Sequence, residues 1–191
     1  MPNELDVRVR ALLEADDHRE AAALTIRTLG PPILRYLRAI LRDEDDTKDA
    51  FSRWAESVWR GLPRFRWESA LETWAHRLAF HSALALRDDA WRRRAARLEE
   101  TAASRLAETL RTRTAAKAER QLAVLRQLRD ELTLDEQTLL QLRVDQGLSW
   151  GAIAAVLAAE GEQLDPDTLA KRYERLKARL GKKLRRARLG D

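Results

Sequence analysis

The sequence predicts an all-α protein built of two small helical domains, residues 1-88 and 120-191, joined by a polar, partly helical linker over 89-119. Three observations lead there. Leu, Ala, Arg and Glu abound while Gly and Pro number only 7 and 5 in 191 residues, which suits long helices with few turns. Apolar residues recur at helical spacing, and no segment alternates as a half-buried strand does. From Asp88 to about Glu119 the large apolar residues give way to charges and alanines, as in an interdomain connector.

The first helix begins near Glu4, with Leu5, Val9, Leu12 and Leu13 on one side. A second runs from about Asp16 to Leu29 and is expected to break at Gly30-Pro31-Pro32, because proline removes a helical donor and crowds the preceding turn. A third carries Ile33, Leu34, Leu37, Ile40 and Leu41. Asp43 to Asp46 are expected to form a loop that caps the next helix, about Thr47 to Arg60, which Gly61-Leu62-Pro63 ends. After the loop RFRWES another helix starts near Ala70 and reaches at least Leu86.

Beyond the connector, helices are expected at about Gln121 to Glu131 and Asp135 to Gln146, followed by a pair within GLSWGAIAAVLAAEGEQLDPDTLAKRYERLKAR. Ser149 caps the first of the pair, whose Ile153, Val156 and Leu157 share a face. Asp165 caps the second, with Pro166 at the first helical position and Asp167 where the helix dipole favours an anion. Leu169, Tyr173, Leu176, Leu180 and Leu184 make its apolar seam. Thr168 sits in its first turn, and Lys171, Arg172, Arg175, Arg179, Lys182 and Arg186 fall mostly off the seam. A short helix followed by a basic helix with one buried side is the helix-turn-helix plan. On spacing alone, the solvated face of an ordinary bundle fits equally well.

Charge and composition narrow the function. The net charge of +5 is unevenly spread: the segment from Lys171 onward is dense in Lys and Arg, while Asp43, Glu44, Asp45 and Asp46 are acidic. That asymmetry fits one surface for phosphates and another for a different partner. Cysteine is absent, which excludes disulfides, thiolate zinc sites and thiol catalysis. No apolar run is long enough to span a bilayer and no signal-peptide pattern opens the chain, so a soluble, cytoplasmic protein is expected. His18, His76 and His81 lack metal-ligand spacing, Asp45 and Asp46 read as capping residues, and no glycine-rich phosphate loop exists. The expectation is a binding protein: no enzyme, catalytic residue, cofactor, metal, membrane or small-molecule substrate.

In RGLPRFRWESALETWAHRLAFHSALALR, Arg60, Arg64, Arg66 and Arg77 interleave with Phe65, Trp67, Trp74 and Phe80. Arginines neutralise phosphates, and exposed rings stack on unpaired bases for roughly 1–3 kcal/mol each. Trp74 is in register with Leu71 and Leu78 and is expected in the core. Phe65 and Trp67 fall in the loop, where nucleic-acid contact and a hydrophobic lid are equally open. Trp54 and Trp59 lie on the preceding helix with Asp49, Arg53 and Glu56, whose mixed charges fit a protein-docking face.

These residues carry a family resemblance. The order D-x-x-D-A-F, V-W-R-G-L-P-R-F-R, S-A-L-E-T-W, R-L-A from Asp46 to Ala79 resembles region two of bacterial sigma-70 family factors, in the small extracytoplasmic-function (ECF) group. The run from Leu128 to Ala154 is similar to the start of region four, and Asp167 to Leu180 to its recognition helix. Two separated matches in the family's order cover most of the chain.

The resemblance implies that region two docks on core RNA polymerase through Asp46, Asp49, Arg53, Glu56 and Trp59. It implies that Arg64, Phe65, Arg66, Trp67, Arg77 and His81 lie near the melted minus-ten strand. Thr168, Lys171, Arg172, Arg175 and Arg179 would read the minus-35 element of promoter DNA as duplex, and an anti-sigma factor is a common further partner. Departures from the family pattern are Lys48, where an acid is usual, Ser52-Arg53 for a Gln-Glu pair, His81 for an Asn, Ala85 for an Asp, Trp67 where Gly is frequent, Thr133 for a Pro, and an extended turn within the helix-turn-helix. Two other readings remain open: a stand-alone helix-turn-helix regulator, and a sigma-like interaction protein that titrates partners.

Overall fold

Side-chain caps set where most of the described helices begin. The computed structural model describes residues 3–41, 43–97, 128–158 and 162–189, and every regular element among them is helical. Helix α1 (Glu4–Glu14) starts where the Asn3 side chain accepts the Asp6 N–H at 2.9 Å. Helix α2 spans His18–Leu41, and α3 spans Glu44–Gly61. Asp43 accepts the Asp45 and Asp46 N–H groups at 3.0 and 2.9 Å, so the acidic run forms the first turn of α3 rather than the expected loop. Negative charge there also suits the positive end of the helix dipole. A 3-10 turn at Leu62–Arg64 leads through a short loop to α4 (Leu71–Arg97).

In the second half, α5 (Leu134–Leu140) runs into one π-helical turn at Gln141–Asp145. Thr133 and Glu136 cap α5 reciprocally, each side chain accepting the other's backbone N–H. Helix α6 (Trp150–Leu157) is capped by Ser149, and α7 (Pro166–Leu189) starts at the Asp165 cap, both as the sequence indicated. Residues 128–130 are helical, while the rest of the helix expected over Gln121 to Glu131 lies outside the described residues. So does the connector beyond Arg97; its first residues, 89–97, continue α4.

One expected break does not occur: α2 passes through Gly30-Pro31-Pro32 uninterrupted. Two prolines remove two backbone donors and disfavour helical geometry at the residue before them. Burial opposes this. Leu29, Ile33, Tyr36 and Leu37 on either side of the prolines are buried in one stripe, which a break would pull apart. Gly30 faces the Phe51 ring of α3, which a Cβ there would meet at 3.4 Å, an ordinary contact.

The bundle α1–α4 closes around Trp54, which is fully buried and whose indole N–H donates to the Ala75 carbonyl at 3.0 Å. Helix α6 packs along α4, and α5 touches α2. Most of the buried apolar residues form one contiguous cluster from Val9 to Leu169, which Leu128, Leu132, Ala158 and Leu176 do not join. At the junction the Tyr36 hydroxyl meets the Thr138 hydroxyl at 3.1 Å, both residues being fully buried. Burial pushes the Tyr36 phenol far above its ordinary pKa, so it remains a neutral hydrogen-bonding group.

Candidate nucleic-acid interface

Two basic surfaces stand on this scaffold. The first surrounds the loop between the 3-10 turn and α4. Arg64, Phe65, Arg66, Trp74 and Arg77 line a hollow of about 510 Å³, with Ala155 of α6 also on its wall. The pieces are brought together by close packing: a Cβ on Gly61 would lie 3.1 Å from the Trp74 ring, so the small residue at the end of α3 lets that indole sit against the backbone. Phe65 is half-buried, its ring centroid 4.9 Å from Trp74 and 4.9 Å from Trp67. Arg66 has Glu68 at 3.9 Å, an exposed pair worth little in water.

Trp67 faces the other side of the loop. It lines a second hollow of about 620 Å³ with Asp6, Arg10 and Glu14 of α1, and the Arg10 guanidinium lies 4.6 Å from its ring centre. Its backbone has φ +58°, a left-handed conformation that a Cβ makes costly by about 1–2 kcal/mol. Ring pairing worth about 0.5–1.5 kcal/mol and a cation–π contact of about 0.5–1 kcal/mol are of the right size to offset it. Trp74, expected as core, is half-buried and forms part of the first hollow instead. His81 is exposed one turn beyond Arg77, with its ring 5.7 Å from Phe80, and does not line the hollow.

Titratable groups of α1 and α4 meet beneath this loop. The Asp6 carboxyl is buried beside the start of α4, and its Oδ1 has no hydrogen-bond partner. Burial raises its pKa, against the opposing pull of the Leu71 N–H and nearby Arg10. Glu72 is raised by burial and by Asp6. His76 is fully buried, its Nδ1 donating to the Glu72 carbonyl at 2.9 Å and its ring edge-on to Tyr36. Burial lowers the His76 pKa, so the imidazole is neutral.

The second surface is the outer side of α7. Leu169 and Leu176 of the seam are buried, and Tyr173, Leu180 and Leu184 half-buried, which leaves Thr168, Lys171, Arg172, Arg175 and Arg179 exposed together. Thr168 donates its hydroxyl to Asp165 at 2.6 Å. Its hydroxyl and N–H hold the Asp165 carboxyl below its usual range. Arg175 folds back on the Lys171 carbonyl at 3.3 Å. Arg172 stands 3.9 Å from Asp135, and Arg179 2.8 Å from Glu136. Burial would raise the Glu136 carboxyl, but bonds from Arg179 and the Thr133 N–H outweigh it and lower the pKa. Glu136 links α5 to α7 through Arg179, while the exposed Arg172–Asp135 pair is worth little in water, and a phosphate approaching either arginine would compete with these acids.

Along α3, Asp49, Arg53, Glu56 and Trp59 are exposed and Asp46 is half-buried. Glu56 pairs with Arg60 at 2.6 Å, and Trp59 leaves 51% of its surface in solvent, an unusual amount for an indole. Among the described residues, no group of three or more His, Asp or Glu side chains comes together as a metal-binding set. No helix among them is long and apolar enough to cross a membrane. Arg10 and Asp6 were not legible as site-supporting residues, because only the fold brings α1 beside the loop. No protein-family model matches the chain, and no curated protein matches it in sequence.

Proposed function

We propose that this chain is a sigma factor of the ECF type, which binds core RNA polymerase in the cytoplasm and directs it to promoters. In this reading residues 1-88 dock on polymerase through the exposed side of α3 and open the minus-ten element at the loop of Arg64, Phe65, Arg66 and Trp67. Residues 120-191 read the minus-35 element as duplex with Thr168, Lys171, Arg172, Arg175 and Arg179. One observation supports the proposal: a hollow lined by arginines and aromatic rings and a long helix with a cationic outer side, α7, occur on the same chain. A duplex-binding regulator has use for the second surface only.

The mechanism is melting driven by binding. Arginine contacts to phosphate supply affinity that falls with salt. Capture of an unpaired base beside Phe65 and Trp74 offsets the few kcal/mol of unstacking. The test is a pull-down with core RNA polymerase, followed by run-off transcription on genomic fragments. Retention on polymerase together with start-site-specific transcripts is expected. Duplex binding with no affinity for polymerase would instead make the chain a stand-alone regulator, and polymerase binding without any transcript would make it a titrating protein.

A further inference from the structure

Arg10 has no part in the reading above, yet it is stacked on the loop at the centre of that reading. We propose that Arg10 is a positioning residue: by stacking on Trp67 it lets α1 hold the loop in its left-handed turn, and so shapes the hollow of Arg64, Phe65, Arg66 and Arg77 on the loop's other side. This rests on the single-strand role proposed for that hollow.

Three observations support the clamp. Trp67 has a backbone conformation that non-glycine residues rarely hold without outside support, and its ring is contacted by both Arg10 and Phe65. Phe65 touches Trp67 and Trp74 alike, so a shift of the Trp67 indole passes to a ring that lines the basic hollow. The same helix borders the far end of the loop, where Asp6 lines the second hollow with Ser69 and Ala70. Helix α1 therefore meets the loop at two points, one turn apart on its own surface.

The experiment compares Arg10→Ala, Trp67→Gly and the double variant, each in the full chain. Hydrogen exchange of the loop amides is followed in the free protein, alongside affinity for a fluorescent single-stranded DNA 12-mer at two salt concentrations. Arg10→Ala is expected to speed loop exchange and weaken the 12-mer about fivefold, with the salt slope unchanged. In the Trp67→Gly background Arg10→Ala should change both readouts much less, since the stacking contact is already gone and glycine needs no support.

Three outcomes overturn the proposal: Arg10→Ala silent in both readouts, an equal loss in both backgrounds, or a shallower salt slope that marks Arg10 as a direct phosphate contact. Loop exchange that speeds up with no loss of 12-mer affinity also overturns it. If the unaltered chain binds no single strand, the promoter-opening reading falls, while loop exchange still decides whether Arg10 holds the turn.

Discussion

The hydrogen bond between Tyr36 and Thr138 joins residues 102 positions apart and links α2 of the bundle to α5 of the C-terminal helices. Tyr36→Phe and Thr138→Val each remove one hydroxyl with little change in shape. Each single change leaves the other hydroxyl buried without its partner, which costs about 1–2 kcal/mol. The double variant removes both polar groups and should lie close to the unaltered protein, so the coupling energy, the double minus the sum of the two singles, is about 2–4 kcal/mol in magnitude. With a urea slope near ~2 kcal/mol per molar, a single variant should unfold roughly 0.5–1 M earlier. The assay is equilibrium urea unfolding followed by circular dichroism on all four proteins. If the C-terminal helices were undocked in solution, water would satisfy either hydroxyl and both single variants would be neutral. Neutral singles, or losses that simply add, would refute the shared core.

Other perturbations follow from the same geometry. Trp54→Ala removes the largest fully buried side chain and its bond to the Ala75 carbonyl, and should cost about 3–5 kcal/mol in thermal or urea unfolding. His76 is held neutral, so its contribution to stability is complete above its ordinary value of 6.5 and is lost as pH falls from there towards the lowered folded value. The loss is at most about 1.4 kcal/mol per pH unit, and His76→Phe should remove that part of the profile in unfolding curves taken between pH 7.5 and 5. Replacing Lys171, Arg172 and Arg175 together with alanine should weaken duplex binding and lower the salt slope by about 1 for each phosphate no longer neutralised, measured by fluorescence anisotropy across a salt series.

Caps and apolar spacing are local, and from them the sequence alone determined where several helices begin and which side each one buries. Asp165 with Pro166, Ser149, and the seam from Leu169 to Leu184 all stand in the structure as the neighbouring residues dictate. The basic residues of α7 and of the loop were likewise visible, because a cation left off an apolar seam has only the outer side to occupy.

Tertiary structure alone decided the rest. Helix α2 survives two prolines because residues on both sides of them are buried together, a gain no local rule contains. The loop was open to either exposure or a lid, and packing against Trp74 and α1 settles how its rings sit: Phe65 faces the basic hollow and Trp67 lies under Arg10. The partners of Arg172 and Arg179, and the bond from Tyr36 to Thr138, likewise join residues dozens of positions apart. Such pairings depend on which buried faces meet. Helical periodicity fixes the face that must be covered, but not the neighbour that covers it.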